Sequence, residues 1–361
     1  MTLHASILVR LSDQFALGIS IDAPPGITIV FGASGSGKST MLRAIAGLQP
    51  LDGGRIILGA RTIADVDAGV SVPAQHRRVG LVSQALALFP HLSVRGNVEY
   101  GLHGMPRAER DDRVRDIATR FRIDHLLDRR PTAISGGERQ RTALARAVVT
   151  EPEALLLDEP LSALDFATQS HIIEDLQEWN AARRVPVLYV THSHREAFAL
   201  GQRVVVLDRG RVLASGTPHE VIDLPAQETI ARLVGFENLF TARVLARREV
   251  YGVMVCGIEG AGVDLEVPIG VAQPDARVRI AISAGDILLA VQRPDGLSAR
   301  NVIPGVLTAM AAEGARTSAT IDAGVPFVVH LTRGAVESLA LEVGTRVWLV
   351  IKTHSCRLVS L

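Results

Sequence analysis

A glycine-rich segment between two apolar segments constrains the fold of this chain more than any other feature. The segment GASGSGKST, from Gly32 to Thr40, directly follows the strand-like run ITIVF and directly precedes the helix-like run MLRAIAGL. In this context the pattern GxxxxGKS is typical of a phosphate-binding loop, because glycines let main-chain amides turn toward a phosphate and a helix N terminus adds positive potential. The sequence therefore predicts a strand, a phosphate-binding loop and a helix in succession.

The side chains of this loop indicate separate roles. Lys38 is expected to hold β- and γ-phosphate oxygens as a compact charge, and Ser39 to ligate Mg²⁺. The alternative is a glycine-rich turn with an exposed lysine. The predicted phosphate-binding residues are Gly32, Ser34, Gly35, Ser36, Gly37, Lys38, Ser39 and Thr40.

Strand-like and helix-like segments alternate along the first two thirds of the chain. Short β-branched runs such as VPVLYVTHS and RVVVLDRG are separated by helical stretches such as ERQRTALARAVV. This alternation indicates an α/β fold with a parallel sheet covered on both faces. After ARLVGFENLF the pattern changes to short alternating strands with Gly and Pro turns. We therefore expect one domain of residues 1–235 and a small β-rich domain of residues 236–361, with the boundary near Gly235.

Two acids follow the apolar strand ALLLD. Asp158 suits Mg²⁺ coordination through water, and Glu159 suits the base that polarises an attacking water. The alternative is a strand that ends in solvent. The phosphate-binding loop favours the catalytic interpretation, since the carboxyl ends of parallel strands meet where ligands bind.

A second helix start also has features of a phosphate site. In ISGGERQRTALARAV, Ser135 and Glu138 form a capping-box pattern at the start of an amphipathic helix. An ordinary capped helix would not need Gly136 and Gly137, which each cost about 1 kcal/mol relative to alanine but expose bare amides. Two phosphate-binding helix starts in one chain suggest that they complete each other across a dimer.

These segments together resemble ATP-binding cassette (ABC) proteins over roughly the first 235 residues. SGGERQ resembles the family's signature and lies between GASGSGKST and LLLDEP, as it does in the family. Gln84 in LVSQ resembles the glutamine that senses Mg²⁺ and the membrane partner, Asp165 in SALD the aspartate at the dimer seam, and His192 in VTHS the switch histidine that contacts the γ-phosphate. Phe15 is either the aromatic that stacks on adenine or a core residue.

The resemblance implies an ATP hydrolase that uses Mg²⁺. Its expected fold is a P-loop nucleotide-binding domain with a helical subdomain, followed by a small all-β barrel domain. The segment LFPHLSVRGNVEYGL resembles importer-type subunits, in which this region receives a helix of the membrane subunit. The alternative for its apolar residues is plain core.

The second domain resembles a Mop-type molybdate-binding unit, as found in the ATPases of molybdate importers. LSARNVIPGVL and VGTRVWLVIKTHS are similar to the two ends of such a unit. The alternatives are a polar turn for SARN and a solvated strand end for the lysine. A tetrahedral oxyanion needs several convergent donors. The candidates here are Ser298, Arg300, Asn301, Lys352, Thr353 and Ser355.

The use of lysine favours a special role for Lys352. Arginine accounts for 36 of the 38 basic residues, and Lys38 and Lys352 are the only lysines. A lysine in such a chain indicates a position where a guanidinium does not fit. The family pattern continues with small residues after this lysine, whereas this chain has Thr353, His354 and Ser355.

Composition excludes several other classes. With 38 acidic and 38 basic residues, the chain offers no broad basic face for nucleic acid and no polybasic membrane anchor. Its N terminus lacks an apolar signal segment, and no run approaches the roughly 20 apolar residues of a membrane-spanning helix. Cys256 and Cys356 are far apart and are expected to be free thiols.

The implied partners follow from the importer resemblance. We expect a homodimer at the cytoplasmic face of the bacterial inner membrane, with two integral-membrane permease subunits and, indirectly, a periplasmic oxyanion-binding protein. Molybdate or tungstate is the expected regulatory ligand of the second domain. The alternatives are an import ATPase for sulfate, ferric iron, polyamine or sugar, a soluble ABC protein of translation or repair, and an oxyanion store without turnover.

Overall fold

The chain forms two compact units in the computed structural model. The units are Met1–His219 and Glu220–Leu361. The predicted boundary near Gly235 stays a prediction, and the strands of the β-rich part begin at Asn238. The structure describes residues 1–12, 14–161, 164, 166–223, 230–231, 235–313 and 316–359.

The first unit is an α/β fold, as predicted. Its strands are β1 (Leu3–Ser12), β2 (Phe15–Ala23), β3 (Gly26–Gly32), β4 (Gly53–Leu58), β5 (Arg61–Asp65), β6 (Val70–Ser71), β7 (Val79–Val82), β8 (Ala154–Asp158), β9 (Pro186–Val190), β10 (Arg203–Asp208) and β11 (Arg211–Gly216). Its helices are α1 (Lys38–Ala46), α2 (Val94–Glu99), α3 (Arg107–Arg120), α4 (Gly136–Val148), α5 (Phe166–Arg183) and α6 (His194–Leu200). Helices α2, α3 and α4 pack against one another as the expected helical subdomain.

The main sheet positions the ends of its strands at one edge. Its order is β11-β10-β3-β9-β8-β7, and the strands from β10 to β7 run parallel. All residues of β9 are buried, as expected for a parallel strand covered on both faces. Because β3, β8 and β9 run the same way, the residues that follow them meet at the same edge of the sheet.

An antiparallel sheet in the first unit was not predicted from the sequence. Its order is β2-β1-β4-β5-β6, and it shares one apolar core with α1 and a face of the main sheet. The signal that could have predicted it is an apolar residue at every second position, from Leu3 to Leu11 and from Phe15 to Ala23. One face of the parallel sheet is therefore covered jointly by a helix and a second sheet.

The second unit is rich in strands, as predicted. Its strands are β12 (Asn238–Arg248), β13 (Val253–Ile258), β14 (Asp264–Pro268), β15 (Arg277–Ile282), β16 (Leu288–Ala290), β17 (Asn301–Glu313), β18 (Arg316–Asp322), β19 (Pro326–Thr332), β20 (Arg346–Ile351) and β21 (Arg357–Val359), with a short helix α7 (Arg333–Ser338). One sheet has the order β14-β13-β12-β15-β21 and the other β16-β20-β17-β18-β19. Both contribute to a single apolar core. Each sheet therefore contains one short strand, β21 or β16, from the other half of the unit.

Two further sequence expectations concern the chain as a whole. Cys256 and Cys356 are free and buried in the core of the second unit, and burial raises the pKa of their thiols to about 11 and about 12. Among the described residues, no helix has both the length and the apolar character needed to cross a membrane.

Candidate functional site

The phosphate-binding loop connects β3, which is buried at every residue after Gly26, to α1. Strand β3 ends at Gly32, and α1 begins at Lys38 with Gly37 as its N-cap. Gly37 has a φ of 104°, and a Cβ there would lie 2.8 Å from Leu17 Cδ1 and 3.3 Å from Phe15 Cζ. Backbone conformation and close packing therefore both require glycine at this position.

The side chain of Lys38 contacts the backbone of the phosphate-binding loop. Its Nζ donates hydrogen bonds to the carbonyl oxygens of Gly32 and Ala33, each at 2.8 Å. The residue is only 8% exposed. Burial lowers the pKa of Lys38, and the nearby carboxylates of Glu159 and Asp158 oppose this effect. The ammonium is thus held by the loop near Asp158, the last residue of β8, and Glu159, which follows it.

The structure brings most of the predicted site residues around one cavity of about 520 Å³. The sheet edge supplies the acids after β8 and the glutamine after β7, while the loop and α1 supply amides, hydroxyls and the lysine. Leu11 also contributes, although the sequence did not indicate it. The predicted residues that line this cavity are Phe15, Ser34, Gly35, Gly37, Lys38, Ser39, Thr40, Gln84, Asp158 and Glu159.

Two loop residues support the cavity without lining it. A Cβ on Gly32 would lie 2.2 Å from the carbonyl oxygen of Leu207, so the close approach of β10 excludes a side chain. Ser36 is buried, and the amide of Gly210 donates to its carbonyl oxygen at 3.0 Å. In the described part of the chain the Ser36 hydroxyl has no hydrogen-bond partner.

The oxygen donors in the cavity suit Mg²⁺. Ser39 hydrogen-bonds to Asp158, and Gln84, whose side-chain amide contains an oxygen donor, lines the same cavity. Burial raises the pKa of Asp158; the Ser39 hydrogen bond and Lys38 oppose this effect, whereas Glu159 adds to it. Mg²⁺ prefers a site of one or two carboxylates completed by water and phosphate oxygens, which this donor set provides.

Glu159 is held in an unusual backbone conformation beside His192. Its φ is 46°, in the left-handed region, and its N–H donates to the carbonyl oxygen of Val190 at 3.1 Å. The Glu159 Oε1 atom lies 3.6 Å from His192 Nδ1. Such a conformation in a non-glycine residue costs on the order of 1 kcal/mol and is typical of functional sites. The arrangement places a carboxylate inside the cavity and an exposed imidazole next to it.

The segment that carries His192 is fixed by residues that sequence reasoning missed. The N–H of Ser193 donates to Thr191 Oγ1 at 3.0 Å, and the Ser193 hydroxyl caps α6 by accepting from the Glu196 N–H. The Tyr189 hydroxyl donates to Glu196 Oε2 at 2.8 Å, with both residues buried. The Tyr189–Glu196 pair therefore anchors both ends of the segment that presents His192.

We predict that Tyr189→Phe lowers kcat for ATP hydrolysis about three- to tenfold and leaves KM for ATP unchanged. The change leaves the buried Glu196 carboxylate without its donor, so the His192 segment loses its anchor. Steady-state kinetics would measure both constants. Glu196→Gln, which keeps an acceptor for the tyrosine, is the matched control and should stay close to the unaltered chain. A lower melting temperature with unchanged kcat would limit the pair to a structural role.

Arg146 is a second functional candidate that the sequence did not reveal. It lies on α4, and its guanidinium donates to the carbonyl oxygens of Leu86 and Ala87, each at 2.7 Å. Both of these loop residues have positive φ angles, and the guanidinium also lies 5.4 Å from the centre of the Phe89 ring. Arg146 thus connects the helix that starts at the SGG segment to the loop that follows Gln84.

The SGG segment forms a separate cavity of about 300 Å³. Ser135, Gly136 and Gly137 line it at the start of α4, and none of its described lining residues belongs to the Lys38 cavity. The predicted capping box is present, since Glu138 N–H donates to Ser135 Oγ at 3.3 Å and Ser135 N–H donates to Glu138 Oε2 at 2.7 Å. These hydrogen bonds lower the pKa of Glu138.

Packing explains why glycine is required at one of the two positions, Gly136 and Gly137. A Cβ on Gly137 would lie 2.6 Å from Thr168 Cγ2 of α5, whereas a Cβ on Gly136 would have no atom closer than 3.8 Å. Gly136 is therefore the residue whose lack of a side chain serves no packing purpose. The predicted Asp165 lies outside the described residues.

The predicted oxyanion residues occupy one end of the β17–β20 pair. Asn301 pairs with Ile351 in the antiparallel register, so Arg300 and Lys352 follow at facing positions. Ser298, Arg300 and Lys352 are exposed, whereas Asn301 and Thr353 are buried. Ser355 N–H donates to the Lys352 carbonyl oxygen at 3.0 Å.

Asn301 and Thr353 are both engaged by one residue, Glu266. The Asn301 side chain hydrogen-bonds to the N–H and the carbonyl oxygen of Glu266, at 2.6 and 2.9 Å. The Thr353 hydroxyl donates to Glu266 Oε1 at 3.0 Å. Sequence reasoning missed Glu266, which is distant in sequence from both partners.

The fold and the Lys38 cavity together define a P-loop ATPase of the cassette type. Residues 18–162 match the family model described as ABC transporter, and residues 297–358 match the TOBE domain. The chain belongs to the ABC transporter family. Within it, this chain is an ATP hydrolase whose cofactors are ATP and Mg²⁺.

Relatives extend the similarity to both units. The chain is 38% identical to a protein of Mesorhizobium japonicum named molybdenum import ATP-binding protein ModC, over 98% of this chain and 96% of that protein. A protein of the same name from Rhizobium etli is 37% identical over 98% of this chain and 99% of its own length.

Two solved structures of ABC transporter proteins resemble part of the chain. CbiO1 from Clostridium perfringens, part of an ABC transporter complex, has a TM-score of 0.54 and 29% identity, and the match covers 64% of this chain and 93% of that chain. A dimeric structure of a bacterial ABC transporter cassette has a TM-score of 0.53 and 27% identity, over 60% of this chain and 99% of that chain.

Proposed function

We propose that this chain is the ATP-hydrolysing subunit of a bacterial molybdate importer. One observation carries the proposal: the similarity to relatives named for molybdenum import spans 98% of the chain, including the second unit. The presence of Lys38, Gln84 and Glu159 around one cavity supports turnover rather than storage. In this role the chain binds at the cytoplasmic face of the inner membrane to two permease subunits, which receive substrate from a periplasmic oxyanion-binding protein.

Hydrolysis follows from the groups in the cavity. The loop amides and the Lys38 ammonium bind the β- and γ-phosphates, and Phe15 lies where it can contact the base. Glu159 accepts a hydrogen bond from the attacking water and polarises it, while His192 donates to the γ-phosphate. Ser39, Gln84 and Asp158 would hold Mg²⁺, which would supply positive charge to neutralise the phosphates.

The site is proposed to be completed by a second copy of the chain. Ser135, Gly136 and Gly137 offer exposed amides in a cavity remote from Lys38, so a nucleotide bound by Lys38 of one chain can bridge to the SGG segment of its partner. Asp165 is proposed to lie at the same dimer seam. Closure around ATP would drive the permease subunits between access states, and hydrolysis would reset them.

Uptake in the organism that carries the chain tests the proposed function. Deleting the chain should lower molybdenum accumulation at least about tenfold at limiting molybdate, because no ATPase then energises the permease. The unaltered chain should restore accumulation, and a Glu159→Gln variant expressed to the same level should not. Sulfate uptake, measured in the same cells, is the control. Normal molybdenum accumulation with impaired sulfate, iron, polyamine or sugar uptake would assign a different substrate.

The second unit is proposed to bind the transported oxyanion and to lower transport when it is plentiful. Two exposed cations, Arg300 and Lys352, at facing positions beside the Thr353 hydroxyl support an anion site at this end of the unit.

A further inference from the structure

The two halves of the second unit repeat one arrangement of strands. Residues 238–290 and 301–359 each form a long strand, two shorter strands, a further strand, a 3₁₀ turn and a short end strand. When β14 and β19 are taken as equivalent edge strands, the strand orders of the two sheets are β14-β13-β12-β15-β21 and β19-β18-β17-β20-β16. The short end strands are exchanged between the sheets. Each strand of one half therefore has an equivalent in the other.

Two buried asparagines mark this internal symmetry. Asn238 and Asn301 begin the long strands β12 and β17, and they are 2% and 3% exposed. The Asn238 side chain accepts from the Val328 N–H at 2.7 Å and donates to the Val328 carbonyl oxygen at 2.8 Å. Asn301 makes the same pair of hydrogen bonds with Glu266. Each side-chain amide thus hydrogen-bonds to the backbone of the edge strand, β19 or β14, of the opposite sheet.

The symmetry makes a residue-by-residue comparison of the two ends possible. Asn238 pairs with Ile282 as Asn301 pairs with Ile351, so Ser283 and Ala284 are the equivalents of Lys352 and Thr353. Glu237 precedes Asn238 where Arg300 precedes Asn301.

The two ends differ in charge. At the Asn238 end, the carboxylate of Glu237 accepts from the Ala284 N–H at 2.8 Å. At the Asn301 end, Arg300 and Lys352 lie one position beyond the last residue pair of β17 and β20, so two cations occupy the equivalent places. Of the two ends, the Asn301 end is therefore the one suited to an anion.

An acid of the protein already occupies this cationic end. Glu266, the equivalent of Val328, is 17% exposed at its side chain. Its Oε1 accepts from the Thr353 hydroxyl at 3.0 Å and lies 4.0 Å from Arg300 Nε, while Oε2 lies 3.8 Å from an Arg248 nitrogen. Lys352 has no ion pair with any residue that the structure describes. Glu266 therefore offsets part of the positive charge that Arg300, Arg248 and Lys352 bring to this end.

We propose that Glu266 is a built-in competitor for the oxyanion. The inference rests on the proposed oxyanion-binding role of the second unit. A divalent oxyanion that uses Arg300, Lys352 and the Thr353 hydroxyl must displace the Glu266 carboxylate from two of these groups. Glu266 therefore sets the concentration of oxyanion above which the second unit is loaded.

Calorimetric titration of the full-length chain with molybdate tests this competition. Glu266→Gln removes the charge but keeps the side-chain length and an acceptor for Thr353, so molybdate should bind at least about tenfold more tightly. Glu266→Ala is a second neutral variant and should change the affinity in the same direction. Glu259→Gln is the matched control, because Glu259 forms a two-point ion pair with Arg277, at 2.9 and 2.8 Å, and should leave the affinity unchanged.

The possible results distinguish a failure of the competitor role of Glu266 from a failure of the proposed oxyanion site. Tighter binding in both Glu266 variants, with folding verified by circular dichroism, supports competition. Equal or weaker binding in both variants, with the unaltered chain still binding molybdate, overturns the competitor role and leaves oxyanion binding intact. If no chain binds molybdate, tungstate or sulfate, the inference fails together with the proposed oxyanion site, while the uptake experiment still decides the transport role.

Discussion

Replacing Glu159 by glutamine is expected to lower kcat for ATP hydrolysis about a thousandfold while ATP still binds. The amide cannot accept a proton from the attacking water, and this role of a positioned carboxylate typically accounts for two to four orders of magnitude. Binding should persist because Lys38 and the loop amides are unaffected. Phosphate release measures the first effect, and equilibrium binding of ATP measures the second.

The same variant also reports on the proposed dimer. Since ATP is then held without being hydrolysed, the variant should sediment as a dimer with ATP and as a monomer without it. Glu109→Gln, which changes an exposed acid of α3 paired with Arg113, is the matched control and should behave like the unaltered chain. Retention of more than about a tenth of the activity in Glu159→Gln would assign the base to another group.

Lys38→Arg is expected to lower kcat/KM for ATP by about two orders of magnitude or more, although the charge is kept. The ammonium lies 2.8 Å from two carbonyl oxygens at a position only 8% exposed, and a guanidinium, which is planar and larger, does not fit there. The phosphates would then lose a positioned point charge. Hydrolysis rates across a range of ATP concentrations measure the effect.

The second lysine provides the internal control for this prediction. Lys352 is exposed, so Lys352→Arg should leave ATP hydrolysis in the absence of oxyanion unchanged. Wild-type kinetics in Lys38→Arg would mean that the pocket tolerates a guanidinium, and the scarcity of lysine in this chain would then carry no information about the site.

The nucleotide site could be predicted from the sequence because its parts are local or lie at strand ends. The glycine-rich loop from Gly32 to Thr40 specifies its own geometry through glycine conformations and the helix start at Lys38. Gln84, Asp158 and Glu159 each follow an apolar strand, and parallel strands bring their carboxyl ends to one edge. The α/β fold followed from the same alternation of strands and helices.

Contacts between distant segments could not be predicted in this way. Arg146 holds the loop after Gln84 from about 60 positions further along the chain, and Glu266 meets Thr353 from 87 positions away. Such pairs leave no periodic signature, since each side chain alone looks like an ordinary surface charge. The exchange of β16 and β21 between sheets could not be predicted either, because a strand of three residues has no sequence pattern that identifies its partner strand.

This exchange has a consequence for the order in which the protein can be made. Strand β21 completes the sheet that begins with β12, so that sheet stays open at one edge until residues 357–359 have left the ribosome. The cassette finishes its parallel sheet with β10 and β11 long before this point. During synthesis, therefore, the first unit can fold early, whereas the second unit keeps an unpaired strand edge, where chaperones or neighbouring chains can bind, until its last strand is made.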